Sequence, residues 1–321
     1  MSSLLIPSIG FHSDAGAGSH GVGFPVHITA LHEEYKLTAV QIFASSPKSF
    51  YPCGWTDGTC VATRAACAAS GVRLFIHAPY IINPSCWTGG VAVDGGDNAD
   101  GERIKRLVVN LLQRAAAMGA EGVVIHVGKS LKLGEREGLR RMVEFCSAVL
   151  RETAASEKPA ARLLIETCAG QGSEVARNLA IFGALIHTLV DRHGPAAIGV
   201  CVDTCHVFAS GYTLDVLTDR VGALIGWEYV HLIHLNDSET ECGACVDRHA
   251  CIGYGKIGAA ELGRFCRNAT AAAPHLCFVF ETPVITTVTS GADGEPVVET
   301  SRGREMKWFY DLFSSESARE V

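Results

Sequence analysis

The sequence predicts an α/β fold, a single-domain (β/α)8 barrel (TIM barrel) spanning residues 1–321, and three observations predict it. Short β-prone apolar runs alternate with helical patterns along the whole length. No Pro/Ser linker or charge block divides the 321 residues, a size that α/β barrels reach as one unit. Six of the eight apolar runs stop on a His, Asp or Glu or one residue short of one, which is how parallel strands deliver their last side chains to a common rim.

The elements follow in order. The first strand is expected near 4–11 (LLIPSIGF), ending at His12, and a helical pattern follows over 25–34. AVQIF (39–43) is the second strand and 58–70 the helix after it. RLFIHA (73–78) carries His77 and precedes a helix at 102–118, while GVVIH (122–126) ends on His126 before a helix at 136–155. RLLIE (162–166) ends on Glu166, with helical spacing over 173–192, and AIGVCVD (197–203) ends on Asp203, with His206 just beyond and a helix at 215–226. VHLIHL (230–235) carries His234 and LCFVFE (276–281) ends on Glu281; their helices are expected at 259–272 and 302–314. Between those last two strands the long loop 236–258 contains VDRH, in which Asp247 and His249 lie two residues apart and, on extended backbone, face the same way. A second long loop, the Gly-rich stretch 88–101, leaves the third strand on the same rim, and 290–295 reads as a surface turn.

Composition bounds the function classes. With 48% apolar and 19% charged residues the chain can bury a large core, and nothing suggests disorder. The N-terminus lacks a basic start and a sustained apolar stretch, and no run approaches the ~18 apolar residues of a membrane span, so an intracellular, soluble protein without a membrane partner is expected. The net charge of −7 argues against a nucleic-acid partner only until the candidate ligands are considered: three divalent ions would bring it to −1. The 13 cysteines are scattered through predicted strands and helices, so reduced buried thiols are expected. Cys53 and Cys60 could pair by sequence distance, and the CxxC of Cys242 and Cys245 lacks the second pair that a structural zinc site needs.

A lone His or Asp at a strand end is usually a packed or hydrogen-bonded residue. Four carboxylates and five imidazoles on one rim are different, because uncompensated buried charge costs several kcal/mol or more. His77, His126, Glu166, Asp203, His206, His234, Asp247, His249 and Glu281 are therefore candidate metal ligands, enough for three ions if one carboxylate bridges. Nitrogen and oxygen ligands without thiolate suit zinc, with manganese, cobalt or iron as substitutes, and an N/O set on a barrel rim reads as catalytic rather than structural. Such a cluster suits in-line attack on a phosphodiester. His12 ends the first strand on the same rim and could orient a ligand; His20, His27, His32, His187, His193, His231 and His275 are expected to pack or face solvent.

Several stretches together resemble the endonuclease IV family of apurinic/apyrimidinic endonucleases: GFHSDAG (10–16), FIHAPY (75–80), VIHVGKS (124–130), IETCAGQGSE (165–174), GVCVDTCHVFASGY (199–212), HLIHLNDS (231–238), VDRHACIGYGKIG (246–258) and FETP (280–283). The resemblance covers nearly the full chain. It implies three zinc ions: one on His77 and His126, with Glu166 bridging to a second on Asp203, His234 and Glu281, and a third on His206, Asp247 and His249. It implies incision of double-stranded DNA 5′ to an abasic site, leaving a 3′-hydroxyl and a 5′-deoxyribose phosphate, together with trimming of blocked 3′ ends, by a monomeric enzyme. By the same resemblance Glu281 and Glu166 would be the catalytic carboxylates, Glu281 positioning or deprotonating the nucleophile. Tyr80 and Ile81 would fill the gap left by an extruded lesion, and Lys48, Lys129 and Arg248 would contact the DNA. Lys48 stands where the family often has arginine; it keeps the charge but not the planar fork. A metal-dependent sugar isomerase or epimerase is the main rival, since it would use the same barrel with fewer ions.

Overall fold

A computed structural model describes residues 6–13, 23–48, 50–51, 54–89, 99–290 and 296–314. Eight parallel strands close into a barrel: β1 (Ser8–Ser13), β2 (Ala39–Phe43), β3 (Arg73–His77), β4 (Gly122–His126), β5 (Arg162–Glu166), β6 (Ile198–Asp203), β7 (Val230–His234) and, after two short strands in the loop beyond it, β8 (Asp237–Ser238) and β9 (His249–Ala250), the closing strand β10 (Cys277–Phe280). Each barrel strand pairs with the next in sequence, and β10 pairs with both β7 and β1. The outer layer comprises α1 (Phe24–Tyr35), α2 (Asp57–Ser70), α3 (Ala99–Met118), α4 (Glu135–Ala154), α5 (Leu179–His193), α6 (Thr204–Ala209), α7 (Leu214–Leu224), α8 (Ala259–Ala272) and, after a hairpin of β11 (Thr286–Ser290) and β12 (Pro296–Thr300), α9 (Ser301–Leu312). Among the described residues no helix is long and apolar enough to cross a membrane.

The strand period of two sorts the residues into two cores. Outward-facing side chains such as Leu74, Ile76, Val123, Ile125, Leu163 and Ile165 pack against the helices. The inward faces meet in a smaller cluster of Ala39, Phe75, Val124, Leu164, Cys201, Leu232, Cys277 and Val279. Two residues after these interior positions the same faces present Gln41, His77, His126, Glu166, Asp203, His234 and Glu281. The apolar plug inside the barrel is thus the floor beneath the polar cluster, and strand parity alone aims each of those side chains over it.

Several elements differ from their sequence-based expectations. β1 runs from Ser8 through His12 to Ser13, two residues beyond the expected end; residues 4 and 5 lie outside the described set. The helix expected over 173–192 begins only at Leu179, because Ala176 adopts φ +59° and Asn178 caps the helix by accepting from the Ala180 and Ile181 amides. The preceding residues instead hold Glu174 against Lys129 in a single β-bridge. The β11–β12 hairpin and α6 are additional to the expected elements. α3 starts at Ala99, and residues 90–98 of the Gly-rich stretch, like 291–295 of the expected turn, lie outside the described residues.

Every cysteine among the described residues is a free thiol. Cys60 is buried, and Cys53, its partner by sequence distance, is not among them. No group of three or more potential ligands among the described residues includes Cys242 or Cys245.

Candidate metal centre

All nine rim residues gather at the C-terminal mouth of the barrel in groups whose ligand atoms lie within 4.8 Å of one another: His77, His126 and Glu166; Glu166, Asp203, His234 and Glu281; and, sharing no member with these two, His206, Asp247 and His249. Glu166, 1% exposed, joins the first two. Its Oε2 has no hydrogen-bond partner and stands 3.4 Å from His77 Nε2 and 3.5 Å from His126 Nε2. His206 Nε2 and His249 Nε2 also lack hydrogen-bond partners, and each is 3.2 Å from Asp247 Oδ1. Buried polar atoms left without partners are rare and costly. Here they converge in groups sized for a shared cation, and the all-N/O donor set fits zinc or a similar divalent ion.

Local structure explains how each residue reaches the centre. Asp203 is the last residue of β6 and the N-cap of α6: its Oδ1 accepts from the His206 amide at 2.8 Å, so the DTCH sequence turns at once into a helix and delivers His206 to the same rim. Asp203 Oδ2 remains 3.7 Å from His234 Nδ1 and 3.5 Å from His249 Nε2. His77 Nδ1–H donates to the Ala78 carbonyl at 2.6 Å and His206 Nδ1–H to the Thr167 carbonyl at 2.8 Å, which leaves Nε2 of both rings facing the cluster. His234 is turned the other way, with Nδ1 inward, 2.9 Å from Glu166 Oε1 and 3.1 Å from Glu281 Oε2.

Asn236 locks two carboxylate-bearing segments together, donating to Asp203 Oδ2 at 2.7 Å and accepting the Glu281 amide at 2.9 Å. The loop carrying Asp247 and His249 is fixed by Asp237, wholly buried, whose carboxylate accepts from the amides of Ser238, Gly253, Gly255, Ile257 and Gly258. Gly255 must be glycine, since a Cβ there would come within 2.4 Å of the Asp237 carboxylate.

The electrostatics are those of a concentrated anionic site. Glu166 and Glu281 titrate well below the usual carboxylate range: burial opposes ionisation, but the surrounding imidazoles outweigh it. The same balance, with His206 and His249 as the partners, depresses Asp247, whereas burial beside Glu166 raises Asp203. Burial lowers His126 to about 4, leaving it neutral at pH 7 with a lone pair to offer. Burial also works against protonation of His249, yet Asp203 and Asp247 lift it to about 9, and His206 and His234 are raised in the same way. Without a cation the carboxylates recruit protons onto neighbouring imidazoles, which marks the site as one built for positive charge.

Above the cluster opens a cavity of about 520 Å³, walled by Phe43, Tyr80, Pro283, Val284 and Arg302 in addition to every rim residue of the set except Asp203 and His234. Of the two central carboxylates, Glu281 is the one that meets this space more openly, its side chain 14% exposed against 1% for Glu166.

Residues 30–296 match the family model described as a xylose isomerase-like TIM barrel. A probable endonuclease 4 from Streptomyces coelicolor is 35% identical over 80% of this chain and 83% of its own. The chain belongs to the endonuclease IV family. The crystal structure of endonuclease IV from Thermus thermophilus superposes with a TM-score of 0.72 at 29% identity, covering 95% of this chain and 98% of the other. A solved L-ribulose 3-epimerase reaches a TM-score of 0.65 over 98% of this chain and 96% of its own, but at 14% identity it attests the fold alone.

As a member of the endonuclease IV family the protein is a DNA-cleaving hydrolase, and the family is metal-dependent. The residues expected to touch DNA surround the mouth unevenly. Tyr80 is 57% exposed, its ring 5.1 Å from Phe43 and 5.5 Å from His77, and its amide donates to the Pro47 carbonyl, tying the loop after β3 to the loop after β2. Lys48, on that second loop, and Arg248 are exposed; Ile81 is half-buried. Lys129 sits 3.8 Å from Glu174, a half-buried acid that sequence reasoning did not single out and that shares a smaller cavity with Lys129, Tyr80 and Gln171. Gln41, Asn236, Asp237 and Arg302 were likewise not singled out. For Gln41 there was a usable signal: it is the one polar residue in the otherwise apolar strand AVQIF, at an inward position.

Proposed function

We propose that this endonuclease IV family member is a zinc-dependent apurinic/apyrimidinic endonuclease of base excision repair. It hydrolyses the phosphodiester 5′ to an abasic site in duplex DNA, leaving a 3′-hydroxyl and a 5′-deoxyribose phosphate, acts as a monomer, and also trims blocked 3′ ends. The observation that carries this reading is the convergence of nine N/O side chains into three ion-sized groups at the floor of an open cavity.

In this reading His77, His126 and Glu166 would hold one ion, Glu166 with Asp203, His234 and Glu281 a second, and His206, Asp247 and His249 a third. Ions bound there supply Lewis-acid charge to the phosphoryl and departing oxygens and acidify water at neutral pH. Glu281 would position or deprotonate the attacking water.

Selectivity comes from deformability. A nucleotide without a base has lost stacking and pairing, so its extrusion costs less than that of an intact one. Tyr80 and Ile81 would fill the vacated stack, with Lys48, Lys129 and Arg248 as DNA contacts.

The decisive experiment is cleavage of a duplex containing a tetrahydrofuran abasic analogue, with and without chelator, beside an undamaged duplex. Incision at the lesion that chelation abolishes is expected. Failure of metal-loaded protein to incise would end this reading. Ion counting separates the epimerase alternative, because a two-ion sugar enzyme has no use for the His206–Asp247–His249 group.

A further inference from the structure

We infer that Gln41 is the positioning residue of the centre, setting at one stroke the ring tautomer of His234 and the metal-facing oxygen of Glu281. The inference rests on the metal-dependent reading above and extends it to a side chain outside the ligand set. Gln41 lies in β2 on the inward face and is completely buried. Its amide oxygen is 2.9 Å from His234 Nε2, and its amide nitrogen is 2.6 Å from Glu281 Oε1 and 3.0 Å from His12 Nδ1.

The orientation of that amide is chemically determined. Glu281, held as a carboxylate, can only accept, so the NH2 group must face it, and the two amide hydrogens serve Glu281 Oε1 and His12 Nδ1. The amide oxygen is then committed to His234, where it accepts only if Nε2 carries the proton. With Nε2 so committed, Nδ1, which in the metal-free ring donates to Glu166 Oε1 at 2.9 Å and lies 3.1 Å from Glu281 Oε2, is the nitrogen whose lone pair a cation would take in place of that proton. His77 and His206 have their tautomers set by backbone carbonyls of Ala78 and Thr167; His234 is inverted relative to them and depends on a side chain instead. The same NH2 group engages Glu281 Oε1 from behind, so Oε2 is the oxygen presented to the cluster. A residue from the second strand therefore joins the seventh strand to the segment after the closing one.

The test uses the full chain with zinc and compares wild type, Gln41→Leu and Gln41→Glu. Leucine keeps the volume and removes both contacts. Glutamate can still accept from His234 Nε2–H but sets a second carboxylate against Glu281. Three readouts are taken: zinc per chain, the 15N ring shifts of His234, and circular dichroism for the fold.

In the wild type His234 should be metallated at Nδ1 with a slowly exchanging Nε2 proton. In Gln41→Leu the ion at His234 should bind about 10–100-fold more weakly, the scale on which hydrogen-bond partners of metal ligands act, and the protected Nε2 proton should be lost. Gln41→Glu should keep the His234 tautomer while weakening the same ion, which a purely structural role for Gln41 would not produce. If Gln41→Leu does not fold, Gln41→Glu alone still decides the matter through its tautomer and ion count. Metallation of wild-type His234 at Nε2, or unchanged zinc affinity and ring shifts in the folded variants, overturns the inference while leaving lesion cleavage by the wild type intact. A wild type that binds no zinc overturns both this inference and the proposed function.

Discussion

Two glutamates in the centre carry the same chemistry but not the same surroundings, and the difference predicts their roles. Glu166 is sealed between imidazoles, whereas Glu281 reaches the cavity. Glu281→Gln should lower incision of a lesion duplex by about 10²–10⁴-fold, the usual worth of a positioned base, while lesion binding measured by gel shift stays within a few-fold. Equal loss of both would assign Glu281 to holding the structure. Replacing Lys48 and Tyr80 together by alanine should reduce the preference for abasic over intact duplex more than it reduces zinc content; unchanged discrimination in a competition assay would refute their place at the lesion. Legibility at this scale was uneven. Six of the nine acids and imidazoles were visible because abrupt strand endings mark them, and Asp247 and His249 because VDRH spaces them two apart, but Asp237 was not, since its partners are backbone amides and no side-chain pattern reports them.

Elements show a second division. Barrel strands could be read because their runs are apolar and short, yet the β11–β12 hairpin could not, since neither TTVTS nor PVVET alternates apolar with polar residues to set a period. In the loop between β7 and α8 one carboxylate gathers five backbone amides, while Ile252 and Ile257 pack into the core. Asp237→Ala would leave several amides unpaired, each costing about 1–3 kcal/mol, so a loss of more than about 3 kcal/mol in urea unfolding is expected, and an unaltered midpoint would show that the loop is held otherwise.

At the opposite end of the barrel, Arg162 approaches His231 Nδ1 at 3.3 Å in space that Gly199 leaves open, a Cβ there lying 2.5 Å from the His231 ring. Burial, with Arg162, His275 and Arg73 nearby, lowers His231 to about 4. The folded state then keeps this ring neutral between pH 4 and 6.5 while the unfolded chain protonates it. The unfolded state binds more protons in that window, so this contribution to stability falls as pH drops through it and is gone below about 4. Thermal midpoints of His231→Leu should decline less steeply than those of wild type across the same range; parallel curves would dismiss the contribution.

For the molecule as a whole, stability and function draw on one set of residues. Four carboxylates sit over the apolar interior, an arrangement that costs stability unless positive charge is supplied. Removing metal with a chelator should lower the thermal midpoint, and restoring zinc at about 100-fold above its Kd should recover about 2.7 kcal/mol. A chelated protein that melts where the loaded one does would contradict the fit of ions to these groups. The barrel itself was legible because its alternation runs the length of the chain.

Closure of that barrel places β10 between β7 and β1, so Gln41 and Glu281, 240 residues apart in sequence, touch across the seam. During synthesis the early strands emerge with their imidazoles but without the carboxylate that completes the cluster. The four-ligand group of Glu166, Asp203, His234 and Glu281 is therefore incomplete on a nascent chain until its closing strand docks.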